Sequence, residues 1–291
     1  MTSLIAKLGL GSGQFRLDEQ ATPRGRPREA EARDILSIGA RAGLSVLEVG
    51  RHSPSGETML GQLLPRPNPF RLTVTTVRPD RGADFAEGEI RAQLRRMGVD
   101  KVDAIFAPSA TDLLSAGGPA LWERLRKLKD EGVCRKIGVS VYASDDPRGL
   151  ARRFKPDVVQ APASLLDQRL IVDGTLAELA GMGVEVQLRS IFLNGVLLLP
   201  PDRAPSHLKA AAGRISRARR LIAEGRSDPL QAALGFALSR PEASAVLVDV
   251  ASVAEMSAVV AAAQTPPPDL DWDEMALDDP AALDPRAWAA A

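Results

Sequence analysis

The stretch LEVGRHSPSGETMLG, residues 47–61, brings a carboxyl, an imidazole and a hydroxyl close together in Glu48, His52 and Ser53. An apolar run ends in the acid, a short polar turn follows, and a helix begins. A histidine beside a glutamate can act as an acid/base pair whose proton moves near neutral pH. The competing reading is a solvated loop histidine, and spacing alone leaves both open. The second histidine, His207, sits next to Pro205 before a helix and reads as a surface residue. The single tyrosine is Tyr142, and no lysine occurs between Lys7 and Lys101.

The groups around these residues exclude several function classes. Lys plus Arg equals Asp plus Glu at 37 each, so no overall field recruits nucleic acid or an anionic membrane. No uncharged apolar run reaches the length of a membrane span. One cysteine, Cys134, forms no internal disulfide and reads as an inert thiol. With no basic-then-apolar leader before KLGLGSG, the expected location is the cytoplasm. Charge is unevenly spread: after Arg240 no basic residue appears until Arg286, while ten acids accumulate between Glu242 and Asp284.

The elements that must position the chemistry alternate regularly. Short runs rich in Val, Ile and Leu predict eight strands, at 8–12, 45–48, 72–76, 102–107, 136–141, 158–161, 185–189 and 245–248. Between them, Ala86, Ile90, Leu94 and Met97 share one helical face, as do Leu121, Leu125 and Leu128. Residues 206–239 predict two helices split near SDPL, and RISRARRLIAEGR from Arg214 offers a basic face that an acidic partner could use. Eight alternations of strand and helix are the pattern of a single (β/α)8 TIM barrel, because parallel strands need helical crossovers and eight strands close around a filled interior. The barrel is expected over residues 1–264, with a partly mobile, acidic, Pro/Ala-rich tail over 265–291.

In such a barrel the chemistry lies at the carboxyl ends of the strands. Those ends carry Glu48, Arg51, His52 and Ser53 after strand two, Thr75, Thr76 and Val77 after strand three, and Pro108 and Ser109 after strand four. Five segments, KLGLGSGQF, EGVCRKIGVSVY, PDVVQAPASLLDQR, LRSIFLNGVLLL and ALGFALSRPEASAVLV, occur in order along nearly the whole chain and resemble the aldo-keto reductases, NAD(P)-dependent carbonyl reductases built on this barrel. The resemblance implies a catalytic Asp, Tyr, Lys and His at the positions held here by Glu48, Ser53, Thr76 and Pro108. All four differ. Hydride reduction of a carbonyl needs a proton donor at the developing alkoxide and a cation that acidifies it, and none of the four residues supplies either. The fallback is His52 with Glu48.

For the cofactor, the resemblance implies contacts from Gly11, Ser12, Gly13, Ser140, Gln160, Arg189, Ser190, Phe192 and Asn194. These types suit a nicotinamide: glycines admit close backbone approach, Ser140 and Gln160 can bond a carboxamide, and Arg189 can stack its planar guanidinium. Beyond strand eight, LVDVASVAEMSAVV carries Asp249 and no cation for a 2′-phosphate, so NAD(H) is expected over NADP(H). A lost tetrad, an NAD(H) cleft and terminal alanines together resemble a pseudoenzyme group of oxidoreductase-like regulators in alpha-proteobacteria. That likeness implies a role in cell division and cell fate through the division protein FtsZ and a sensor histidine kinase. The Ala-rich end also resembles those engaged by AAA+ proteases. The competing expectation is an active NAD(H)-dependent oxidoreductase working through His52 and Glu48.

Overall fold

The computed structural model describes residues 4–15, 27–50, 52–198, 208 and 210–288, without the side chain of Asn194. Arg51, His207 and Ala289 to Ala291 therefore lie outside the described residues. Eight parallel strands among the described residues close a barrel in sequence order: β1 (Leu8–Gly11), β2 (Val46–Val49), β3 (Arg71–Thr75), β4 (Val102–Ala107), β5 (Cys134–Ser140), β6 (Val158–Pro162), β7 (Glu185–Arg189) and β8 (Ala243–Asp249). Each predicted strand is present, with its ends moved by two residues at most.

Helices cover the outside for the reason the sequence gives. In the helix Ala83–Met97 the stripe Ala86, Ile90, Leu94 and Met97 is buried, and Gly98 ends it at φ 66°, a left-handed conformation that glycine adopts without strain. In Gly118–Asp130 the buried stripe is Leu121, Leu125 and Leu128. Burying each leucine or isoleucine contributes about 1.5–3 kcal/mol, so these stripes outweigh the modest intrinsic helix propensities. The split helical segment is Ala212–Glu224 and Pro229–Leu238. Asp228 divides them, because its side chain accepts the N–H groups of Leu230 and Gln231 and restarts the helix.

The expected mobile tail is instead packed on the barrel as far as Trp288. Pro267 and Pro268 lie on Gly235, and the Trp272 ring meets Phe236 edge-on at 5.7 Å. The Trp272 carbonyl accepts from Gln168 Nε2 at 2.6 Å, and the Leu277 N–H donates to the Leu166 carbonyl at 2.8 Å. Met275, Leu277, Ala282 and Leu283 are buried. The tail's acids find cations on the basic helix, where Arg217 pairs with Glu274 at 2.7 Å and Arg214 pairs with Asp278. The acidic partner that this helix predicts is thus met, in part, by the chain's own end.

Candidate ligand-binding site

Strand alternation builds the site. Inside the barrel, Val46, Ala245 and Leu247 form one apolar cluster and Ala104, Phe106 and Val158 another. Two residues onward along β2, β8 and β6 the inward face turns polar, giving Glu48, Asp249 and Gln160, while the matching position just past β4 is Pro108. These residues line a cavity of about 600 Å³ at the carboxyl ends of the strands, together with Gly11, Thr75, Ser140, Tyr142, Arg189, Ser190 and Phe192.

Six of the nine predicted cofactor positions therefore line this one cavity: Gly11, Ser140, Gln160, Arg189, Ser190 and Phe192. Ser12 does not. It is fully buried, its Oγ accepts the Gly50 N–H at 3.0 Å and lies 2.9 Å from His52 Nε2, and it ties the loop after β1 to the loop after β2. Gly13 sits against Gly50 in the same join. The Asn194 side chain is outside the described residues. The loop after β7 carries non-glycine residues in the left-handed region, Ser190 at φ 60° and Leu193 at φ 45°, which is strain of the kind that concentrates at ligand sites.

The four tetrad positions scatter. Glu48 and Pro108 stand in the cavity wall. Ser53 caps the helix Pro54–Leu63, accepting the Gly56 N–H at 3.2 Å and sharing a 2.9 Å hydrogen bond with the Ser55 hydroxyl. Thr76 departs from the expectation for strand three: Thr75 borders both the cavity and a separate space of about 90 Å³, whereas Thr76, one residue on, borders only that second space, with His52, Glu57 and Arg96. His52 corrects the fallback pair in the same way. It lines that second space and bonds Ser12, whereas the charges acting on Glu48 come from Asp249 and Arg189.

Electrostatically, the cavity is an acid pair facing a guanidinium. Gly11 is in register with Glu48 on one side and Asp249 on the other, and a Cβ on residue 11 would overlap the Asp249 carboxylate. Burial, reinforced by Asp249, pushes the Glu48 carboxyl up to about 7, against the opposing pull of Arg189. Arg189 donates from Nη2 to the Val141 carbonyl at 2.8 Å and from Nη1 to Ser190 Oγ at 3.3 Å, and its Cζ lies 4.3 Å from the Tyr142 ring centroid. Its buried Nε has no hydrogen-bond partner among the described residues.

Sequence reasoning missed two members of this neighbourhood. Tyr142 lines the cavity as the last residue of the strand-five motif, two positions after Ser140, and Arg286 reaches the other residues through the packed tail, its Cζ 4.0 Å from the same ring centroid. The available signal for Arg286 was its isolation as the sole cation after Arg240.

The Aldo/keto reductase family model matches residues 7–276. The chain belongs to this family. An aldo-keto reductase of Mycolicibacterium smegmatis is 27% identical over 128 residues, which is 42% of this chain and 44% of the relative, so the match spans less than half of that protein's length. Among solved structures, an aldo-keto reductase of Bacillus halodurans in its holo form superposes with a TM-score of 0.75 at 20% identity, covering 92% of this chain and 89% of the other. The putative aldo-keto reductase of Pseudomonas aeruginosa gives 0.65 at 18% identity, covering 89% of each chain. At those identities the superpositions establish the aldo-keto reductase barrel. Among the described residues no group of three or more His, Cys, Asp or Glu could hold a metal ion, and no helix is long and apolar enough to cross a membrane.

Proposed function

We propose that this chain binds NAD(H) in the cavity and does not use it to reduce carbonyls. One observation supports the reading: Ser140, Gln160 and Arg189 converge on a single cavity whose β2, β3 and β4 ends present Glu48, Thr75 and Pro108. The Ser140 hydroxyl and Gln160 amide suit a carboxamide, and the unpartnered Arg189 Nε and planar guanidinium suit a flat polar ring. When bound, the cofactor supplies a hydride. The residues at β2 to β4 can orient it, but they offer no phenol and no ammonium to deliver the matching proton. Asp249 beside Gly11, with no cation from Leu247 to Val260, disfavours a 2′-phosphate and selects NAD(H) over NADP(H).

On this reading ligand occupancy biases a protein-binding surface. The likeness to KidO, an oxidoreductase-like regulator of alpha-proteobacteria, points to FtsZ and a sensor histidine kinase as cytoplasmic partners. The test is a thermal shift with NADH, NAD and NADPH, since a ligand that binds the folded state raises its melting temperature by mass action. NADH or NAD should stabilise the chain and NADPH should not. FtsZ sedimentation in the presence of the chain, with and without NADH, checks the partner. No shift with NADH or NAD at millimolar concentration would remove the cofactor.

One observation favours a second reading, an active oxidoreductase. Tyr142 is a phenol in the cavity wall with two guanidiniums on its ring. It enters from the end of β5, next to β4 and across the barrel from Gly11, so it would need a carbonyl placed on the β5 side of the cavity. NADH-dependent turnover of any member of a carbonyl panel, abolished in Tyr142→Phe, would establish this reading in place of the first.

A further inference from the structure

The C-terminal segment reaches the cavity through one aromatic ring. Two guanidiniums meet on that ring, with the Cζ atoms of Arg286 and Arg189 4.0 Å and 4.3 Å from the Tyr142 centroid. Arg189 is a cavity residue, and Arg286 belongs to the segment Pro280–Trp288. Arg286 is seated by several contacts at once. Its Nη1 donates to Asp145 Oδ1 at 2.9 Å, and its Nη2 donates to Ser144 Oγ at 2.8 Å and to Asp284 Oδ2 at 2.7 Å. Asp145 also accepts the Tyr142 backbone N–H at 2.8 Å, so the carboxylate that holds Arg286 also holds the residue Arg286 stacks on. Hydrogen bonds from Arg286 keep the Asp284 carboxyl below its ordinary value. The segment closes on itself where Trp288 Nε1 donates to the Ala281 carbonyl at 3.0 Å, and Ala282 and Leu283 bury its inner side.

We propose that Pro280–Trp288 is a strap whose docking is coupled to the cavity through the stack Arg286, Tyr142, Arg189. Arg189 presents one face to Tyr142 and lines the cavity as well. A ligand that engages its guanidinium fixes the plane of Tyr142 and so tightens the seat of Arg286. An empty or disrupted Arg189 loosens that seat. The strap itself stands independently of the cofactor assignment; only the choice of NADH as the coupling ligand rests on the NAD(H) reading.

Hydrogen–deuterium exchange of the full chain, read on peptides covering 280–288, tests this. Arg189→Ala, which removes none of the strap's own hydrogen bonds, should speed exchange of 280–288 about fivefold, with Arg189→Lys intermediate and the helix 83–97 unchanged. Tyr142→Leu is the second variant, used if Arg189→Ala fails to fold, and should act alike. Saturating NADH should slow the same peptides about threefold in the wild type. Folded variants whose 280–288 peptides exchange like the wild type would overturn the strap, as would NADH that raises the melting temperature but leaves those peptides unaffected. If NADH gives no melting shift the cofactor assignment fails instead, and the two variants decide the strap alone.

Discussion

Asp249 occupies the space that a side chain on Gly11 would need. The glycine lies between Glu48 and Asp249 in the barrel register, so its missing Cβ lets two acids approach one another at the mouth of the barrel. Gly11→Ala should therefore displace the Asp249 carboxylate, costing about 1–3 kcal/mol in chemical denaturation, as overpacked sites do. Gly11→Ala combined with Asp249→Ala should recover most of the loss. Additive effects of the two substitutions would show that the contact does not carry the cost.

Glu48 makes stability fall as pH rises toward neutrality. Its folded-state carboxyl stands at about 7 against an ordinary 4.5, because burial and Asp249 oppose ionisation. At acid pH both folded and unfolded states hold the proton. As pH climbs, the unfolded chain releases it first, and the folded state loses about 3 kcal/mol of relative stability by the time pH passes the folded value. Glu48→Gln should flatten the stability profile between pH 5 and pH 8 by that amount, and parallel profiles for the two proteins would refute the assignment.

Ser12 is expected to matter for structure more than for ligand contact. Ser12→Ala leaves the Gly50 N–H and His52 Nε2 without this hydroxyl, a loss of about 1–3 kcal/mol for buried polar groups. His52→Ala, by contrast, should leave the response to NADH in a thermal shift intact, because His52 faces the smaller space behind β3. A lost NADH response in His52→Ala would bring the histidine back into the site.

Cys134 should be silent toward thiol reagents. It is buried in β5, and desolvation pushes its thiol up to about 12, so little thiolate is present at pH 8. Labelling by a disulfide reagent should appear only on denaturation, and rapid reaction of the native protein would contradict this environment.

The barrel was legible because each strand is a compact apolar run and each covering helix repeats its stripe at helical spacing, as Ala86, Ile90, Leu94 and Met97 do. Ser140, Gln160 and Arg189 were legible from motifs that end those strands. Other features depend on contacts that no local pattern encodes. In β3 the order Arg71, Leu72, Thr73, Val74, Thr75 alternates polar and apolar and puts Thr73 and Thr75 on one face, whereas the family resemblance points one residue further, to Thr76. His52 reads as a partner for Glu48, four residues away, whereas its hydrogen bond goes to Ser12, forty residues away. The tail reads as mobile from its prolines and acids, yet the cations that hold two of those acids lie on the helix Ala212–Glu224.

The single-residue offset between Thr75 and Thr76 determines how this protein could be given reductase chemistry. A lysine introduced at 76, where a comparison of sequences would put it, would extend into the confined space shared with His52, Glu57 and Arg96. There its ammonium would meet a carboxylate already engaged by Arg96 and never reach a substrate. An engineer wanting a cation in the barrel mouth would have to write it at 75, and would then still need a phenol on the same side.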